Sequence, residues 1–187
     1  GASKCPAPSL LILPRGKIFI ADTYVSSDPP AEELVEMTRL AAEQVRRFGV
    51  EPRVALLSHS SFGSADSASA RKMRGAVALL HAEAPELEVE GEMHGDAALD
   101  EEIRARIFPG SRLKGPANLL IMPNLDAANI AFNVLKSMGE GLSVGPVLIG
   151  GAASAHIATS SVTARGLVNL TALAAAEATA RKERRGA

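Results

Sequence analysis

Five times along this chain a short apolar run of strand length gives way to a stretch whose apolar residues recur every three or four positions, and that alternation leaves few folds open. RVALLS at 53–58, LEVEGEM at 87–93, ANLLIMP at 117–123 and GPVLIGG at 145–151 read as strands. SLLILPRGKIFIADTYV at 9–25 sets a Pro-Arg-Gly turn between two apolar runs and reads as an opening hairpin. Several of these strands are apolar on both faces, which is the pattern of a sheet covered on both sides. The expectation is a three-layer α/β domain: a mostly parallel sheet with helices on both faces.

The helices carry their own start signals. Asp28, followed by Pro29, Pro30, Glu32 and Glu33, reads as an N-cap ahead of prolines and acids that suit the positive end of the helix dipole. That helix places Leu34, Met37, Ala41, Val45 and Phe48 inward and ends at Gly49. Ser64 or Asp66 is expected to cap a second helix that runs to about Glu83, with Met73, Val77 and Leu80 inward. Further helices are expected at 97–108 and 126–138, and a closing one carries Leu167, Leu170, Ala174 and Ala178. The domain is expected to span 9–181, with 1–8 a linker or expression remnant and 182–187 a basic tail.

At 187 residues the chain suits one domain that buries about 70% of the surface of its unfolded form. Twenty basic against twenty-one acidic residues leave a net charge of −1, so no nucleic-acid groove or polybasic membrane face is expected. Any anionic ligand must be held locally. The single Cys5 excludes an internal disulfide framework. No apolar run approaches the roughly 20 residues of a membrane span, and a cytoplasmic protein is expected.

Each strand ends in a polar cluster: SHSSFGS at 58–64, MHGDAA at 93–98, PNLDAAN at 123–129 and GGAASAH at 150–156. In a parallel sheet these share one edge, where open α/β sheets bind ligands. His59, Ser60, Ser61, Gly63 and Ser64 offer small side chains and backbone amides entering a helix, which suits a phosphate, or else they cap and turn. No Walker lysine and no GxGxxG accompany them. Asp96 reads first as the cap of its helix, and His59 and His94 as loop hydrogen-bonders; both histidines and Asp96 also stand as ligand contacts. With Asp126 these residues lack local metal-ligand spacing, so no metal is expected. Asn124 and Asn129 orient a ligand or satisfy loop carbonyls. Arg71, Lys72 and Arg74 read first as a solvated helix face, and otherwise as cations that meet a phosphate. No GxSxG elbow is present, and no base is placed to activate a serine.

The wording and order of HSSFGSA, EGEMHGDAALD, PGSRLKGPANLLIMPNLDAANIAFNVLK and GPVLIGGAASAHIATSSVTARGLVNLTALAA resemble the phosphate acetyl/butyryltransferase family. The resemblance runs from Leu10 to about Ala180 and covers only that family's second half. EMHGDAAL and DAANIAFN look most like the phosphotransacetylase-like C-terminal region of hybrid NADP-dependent malic enzymes. The resemblance implies an isocitrate/isopropylmalate dehydrogenase-like lobe. Active family members bind coenzyme A and acyl phosphate between two lobes and carry Ser-Arg-Gly before the last helix, with an acid several residues later. Aligned on Leu167-Val168-Asn169, those roles fall on Thr159, Ser160 and Gly166, so the arginine and the acid are missing. A second family arginine falls on Ser137, with Lys136 the nearest cation.

What the resemblance implies is therefore a non-catalytic domain that senses acetyl-CoA, with Thr159, Ser160, Lys136 and Arg165 among its contacts. It implies no cofactor in this domain. It implies an upstream malic-enzyme domain holding NADP and a divalent metal, and a homodimer or higher oligomer. The other reading is half of a phosphate acetyl/butyryltransferase whose cations come from the missing lobe or a neighbouring subunit.

Overall fold

The computed structural model describes residues 5–158, 160 and 162–186, the last four by backbone alone. Thr159 and Ser161 lie outside the described residues. Strands β1 (Ser9–Leu13) and β2 (Gly16–Ala21) form the expected hairpin, with Leu13 opposite Gly16 across the two-residue turn. Gly16 takes φ +128°, a value that a side chain would resist. Helix α1 (Ala31–Arg47) buries Leu34, Met37, Ala41 and Val45 along one stripe. Gly49, at φ +71°, takes the left-handed turn that ends it. Asp28 is not its cap: Pro30 holds that position without a side-chain hydrogen bond, and Asp28 instead pairs with Lys72. Two intervening prolines carry the Asp28 carboxylate away from the amides it would have to reach.

The remaining elements are β3 (Arg53–Leu57), α2 (Ala68–Glu83), β4 (Glu88–Met93), α3 (Gly95–Leu99), α4 (Glu101–Ile107), β5 (Leu119–Ile121), α5 (Leu125–Met138), β6 (Leu142–Val144) and α6 (Ala164–Gly186). The sheet order is β4-β3-β5-β2-β1-β6. Neighbours from β4 to β2 are parallel, and β1 alone runs against both of its partners. One apolar core, with Leu34, Met73, Leu80 and Leu119, fills the face under α1 and α2. A second, with Ile20, Met93, Ala97 and Leu120, fills the opposite face under α3 and α5. The three layers follow from strands that are apolar on both sides.

Local expectations needed correction in six further places. Ser67, not Ser64 or Asp66, caps α2, its hydroxyl accepting the Ala70 amide at 3.1 Å. The helix expected at 97–108 is two, because Asp100 leaves helical geometry and caps α4 through the amides of Glu102 and Ile103. Asp96 caps nothing; it sits in the first turn of α3 and accepts from Ala97. The last strand is 142–144 rather than 145–151. Beyond it Val147 and Ile149 donate to the carbonyls of Pro8 and Pro6, but prolines have no amide to return, so no regular ladder forms. Those same bonds, with Ala7 fully buried, draw residues 6–8 into the fold rather than leaving them as linker. The helix α6 also continues through most of the expected tail, to Gly186.

Candidate functional site

Because β3, β4 and β5 are adjacent and parallel, the clusters at 58–64, 93–98 and 123–129 emerge along one sheet edge. The first of them is bonded to itself and to a carboxylate that its own stretch of sequence does not contain. Glu92, buried at the end of β4, accepts the Ser60 hydroxyl at 2.6 Å and the Gly63 amide at 2.9 Å on one oxygen. Its other oxygen lies 3.5 Å from Arg74 Nε. Ser60 also accepts the Ala65 amide, Ser61 accepts the His94 amide, and Ser64 accepts the Ser61 amide. Phe62 (φ +49°) and Gly63 (φ +87°) take left-handed backbone at the tip. An anion does sit in the cradle expected for a phosphate, and it is the protein's own.

Around this loop the other candidates divide between exposed and spent. His94 Nε2 donates to the His59 carbonyl at 2.8 Å, and His59 lies 3.4 Å from the Ser67 hydroxyl; both rings are exposed. Asn124 caps α5 by accepting the Ala127 amide at 2.9 Å. Asn129 donates to the Thr23 carbonyl at 3.3 Å. Arg71 pairs with Asp66, and Lys72 donates to the Pro123 carbonyl as well as to Asp28. Among the described residues, His59, His94, Asp96 and Asp126 do not come together as a group that could hold a metal ion. Nor is any described helix long and apolar enough to cross a membrane.

The fourth cluster behaves differently. After passing Pro8 and Pro6 the chain at 150–158 leaves the sheet edge and turns against α6 and α1, and then bounds a cleft. That cleft, of about 230 Å³, is lined by Lys136, Ser143, Gly145, Ile157, Thr163, Arg165 and Asn169 among others. Among the described residues it therefore gathers two cations that are 29 residues apart in sequence, and no acidic residue. Gly166 lies at its wall, its amide donating to the Thr163 hydroxyl at 3.0 Å in the first turn of α6, where the helix dipole favours anions. Ser160 is exposed nearby in sequence, while Thr159 lies outside the described residues.

Sequence reasoning missed the buried charges that shape this edge. Besides Glu92, Asp22 at the end of β2 accepts the amides of Ala7, Tyr24, Val25 and Ser26. Arg104 is buried and donates to the carbonyls of Ala97, Leu113 and Gly115. Glu90 and Glu92 could have been flagged: they alternate along a strand in a sheet covered on both faces, where an acid must find donors.

The architecture is a three-layer α/β lobe on a mostly parallel sheet, without the GxGxxG of a dinucleotide fold. The profile of one family, phosphate acetyl/butaryl transferase, matches residues 1–175, and the chain belongs to that family. It is 57% identical over 171 residues to an NAD-dependent malic enzyme of Rhizobium meliloti, covering 91% of this chain and 22% of that protein. It is 56% identical over 179 residues to an NADP-dependent malic enzyme of Escherichia coli, covering 95% and 24%. A phosphotransacetylase structure from Streptococcus pyogenes superposes with a TM-score of 0.91 at 29% identity, over 96% of this chain and 55% of that one. The chain thus spans about a quarter of the malic enzymes it matches and about half of the phosphotransacetylase.

Proposed function

We propose that this domain senses acetyl-CoA on behalf of a malic enzyme that oxidatively decarboxylates malate with NADP, and that it transfers no acyl group itself. The observation that carries the reading is the acid-free cleft between Lys136 and Arg165. Two cations and a helix start suit the phosphates of coenzyme A. A cleft of this size takes one phosphate-bearing part of that molecule, the rest lying outside. Acyl transfer between coenzyme A and phosphate also needs a base for the thiol. Among the described residues the cleft lining offers hydroxyls, amides and cations but neither a carboxylate nor an imidazole. High identity to two malic enzymes over nearly the whole chain supports the same reading.

Regulation requires acetyl-CoA to bind two conformations of the complete enzyme unequally, with a typical coupling of about 1–3 kcal/mol. The test is a titration of acetyl-CoA against malate oxidation in the full-length protein. A half-effective concentration should exist and the maximal rate should shift; a flat response sinks the reading. Half of an acyltransferase remains the alternative, favoured by the likeness to the phosphotransacetylase. Acetyl-CoA and phosphate incubated with the full-length protein decide it, and turnover above a heat-killed control would establish the alternative. Self-association is the proposed assembly. The stripe Ile130, Val134 and Met138 on α5 is exposed and apolar at helical spacing, as a face paired with a second copy would be. Light scattering of the wild type and of Val134→Glu at tens of micromolar tests it, with a dimer expected only for the former.

A further inference from the structure

Two helices of this domain meet water differently. On α1 the exposed positions are Glu32, Arg39, Glu43, Arg46 and Arg47, all of them charged, as the outer face of a solvated helix ordinarily is. On α6 the exposed positions from Leu167 to Thr179 hold only leucine, valine, threonine and alanine, and they share one face. The one charge in that span, Glu177, is buried and accepts the Gln44 amide of α1. The inner side of α6 is a separate surface: it carries the buried Leu170 and sets Leu173 against the core under α1. Leu167 and Val168, on the outer face, are 51% and 66% exposed. Thr171 and Thr179 add little polarity there, because each hydroxyl donates to a carbonyl of its own helix, that of Leu167 and that of Ala175. What remains is an uncharged strip roughly 18 Å long.

We propose that the outer face of α6 from Leu167 to Thr179 seats another part of the same polypeptide, the portion upstream of this chain, rather than a second copy. This placement rests on the reading of the domain as part of a longer protein and not on acetyl-CoA. The chain matches 55% of the phosphotransacetylase and 22% and 24% of the two malic enzymes, so polypeptides of these kinds have much more chain to place. The point of entry says where that chain arrives. Pro6 and Pro8 lie along 147–149, their carbonyls accepting from Ile149 and Val147, and a Cβ on Gly151 would lie 3.8 Å from Cys5 Sγ. The Gly151 carbonyl in turn accepts from Arg181 of α6 at 2.9 Å, within a turn of the strip's end at Thr179. A body joined to the start of this chain is therefore delivered beside α6. Tethered there, it meets the strip at an effective concentration that a separate copy at micromolar levels does not reach. Its contacting surface must be neutral or apolar, because a charge laid on the strip would lose water and gain no partner. The α5 stripe proposed for self-association is a different surface, in the layer on the other side of the sheet.

Hydroxyl-radical labelling of side chains, read by mass spectrometry in this chain and in the full-length protein, tests the seat. Leu167 and Val168 should label freely in this chain up to tens of micromolar, and several-fold less in the full-length protein. Equal labelling in the two overturns the seat without recourse to any variant. So does protection in this chain alone that grows with its concentration, because the occupant is then a second copy. Ala172→Glu sets a charge in the middle of the strip. It should leave the thermal midpoint of this chain unchanged, since position 172 is exposed, and raise labelling of Leu167 and Val168 in the full-length protein to the level of this chain. Ala172→Ser, which adds no charge, should keep the protection. Protection that survives Ala172→Glu overturns the seat. An intact mass of the native polypeptide equal to that of this chain overturns the longer-protein reading and the seat together, whereas a longer polypeptide in which Leu167 and Val168 stay exposed overturns the seat alone.

Discussion

Two polar loops of this domain look alike in sequence and differ in what their donors do. The loop at 58–66, after β3, carries four serines and a glycine; Glu92 from the neighbouring strand takes Ser60 and Gly63, and backbone amides take the hydroxyls of Ser58, Ser61 and Ser64. The stretch at 150–166 carries five hydroxyls, yet the side chains of Lys136 and Arg165 beside it face a cleft that, among the described residues, no acid lines. The difference teaches that a hydroxyl-rich strand end is a candidate anion site only while no internal carboxylate has reached it. Both are rich in small residues and hydroxyls; the deciding residue comes from another element.

The largest expected effect would test the first half of that contrast. Glu92→Ala leaves the Ser60 hydroxyl and the Gly63 amide without their acceptor in a buried setting, at a cost of about 3 kcal/mol. Arg74 is 42% exposed and can turn to water, which keeps the cost from rising further. A urea midpoint that moves by less than a third of that would show that the loop does not depend on its internal anion. The next effect concerns the second region. Arg165→Ala or Lys136→Ala should change stability by no more than about 0.5 kcal/mol, because both side chains are exposed. Effector binding in the full-length protein should weaken by about 1.5–3 kcal/mol where the residue meets a phosphate. Wild-type half-effective concentrations in both variants would place the effector elsewhere. Smaller still are the caps: Ser67→Ala and Asn124→Ala each remove one side-chain bond at a helix start and should cost about 1 kcal/mol in thermal unfolding.

What could be read from the sequence was whatever depends on near neighbours. The hairpin turn at Pro14-Arg15, the stripe Leu34-Met37-Ala41-Val45 and the alternation of strand and helix are local patterns, and they fixed the layers and the edge where the polar clusters meet. Cap positions were less legible. In Ser64-Ala65-Asp66-Ser67 three residues have capping chemistry, and the choice is made by where the chain first turns helical, which Arg71 and Arg74 influence by holding Asp66. The final strand was misplaced because GPVLIGG is apolar enough for one, while its partner Pro6-Ala7-Pro8 lacks amides at two of three positions. The burial of Glu92 could be suspected from its strand, but its partners could not, since Ser60 and Gly63 come from a segment distant in sequence.

The smallest effect discriminates between the sequence reading and the structure most cleanly. Were Asp28 the cap of α1, Asp28→Ala would cost about 0.5–2 kcal/mol. In the structure the N-cap of α1 makes no side-chain hydrogen bond, and Asp28, 77% exposed, pairs with Lys72. An ion pair with so exposed a partner is screened by water and salt and is worth little. Lys72 keeps its bond to the Pro123 carbonyl when Asp28 is gone, so its ammonium is not left without a partner. The substitution should therefore shift stability by less than about 0.5 kcal/mol, and that small shift should fade as salt is added. Parallel thermal unfolding of Asp28→Ala and Ser67→Ala makes the comparison internal to one protein. Equal losses for the two would restore Asp28 as a cap, whereas a loss confined to Ser67→Ala places the α1 start at Pro30, held by the proline geometry and the acids of its first turn.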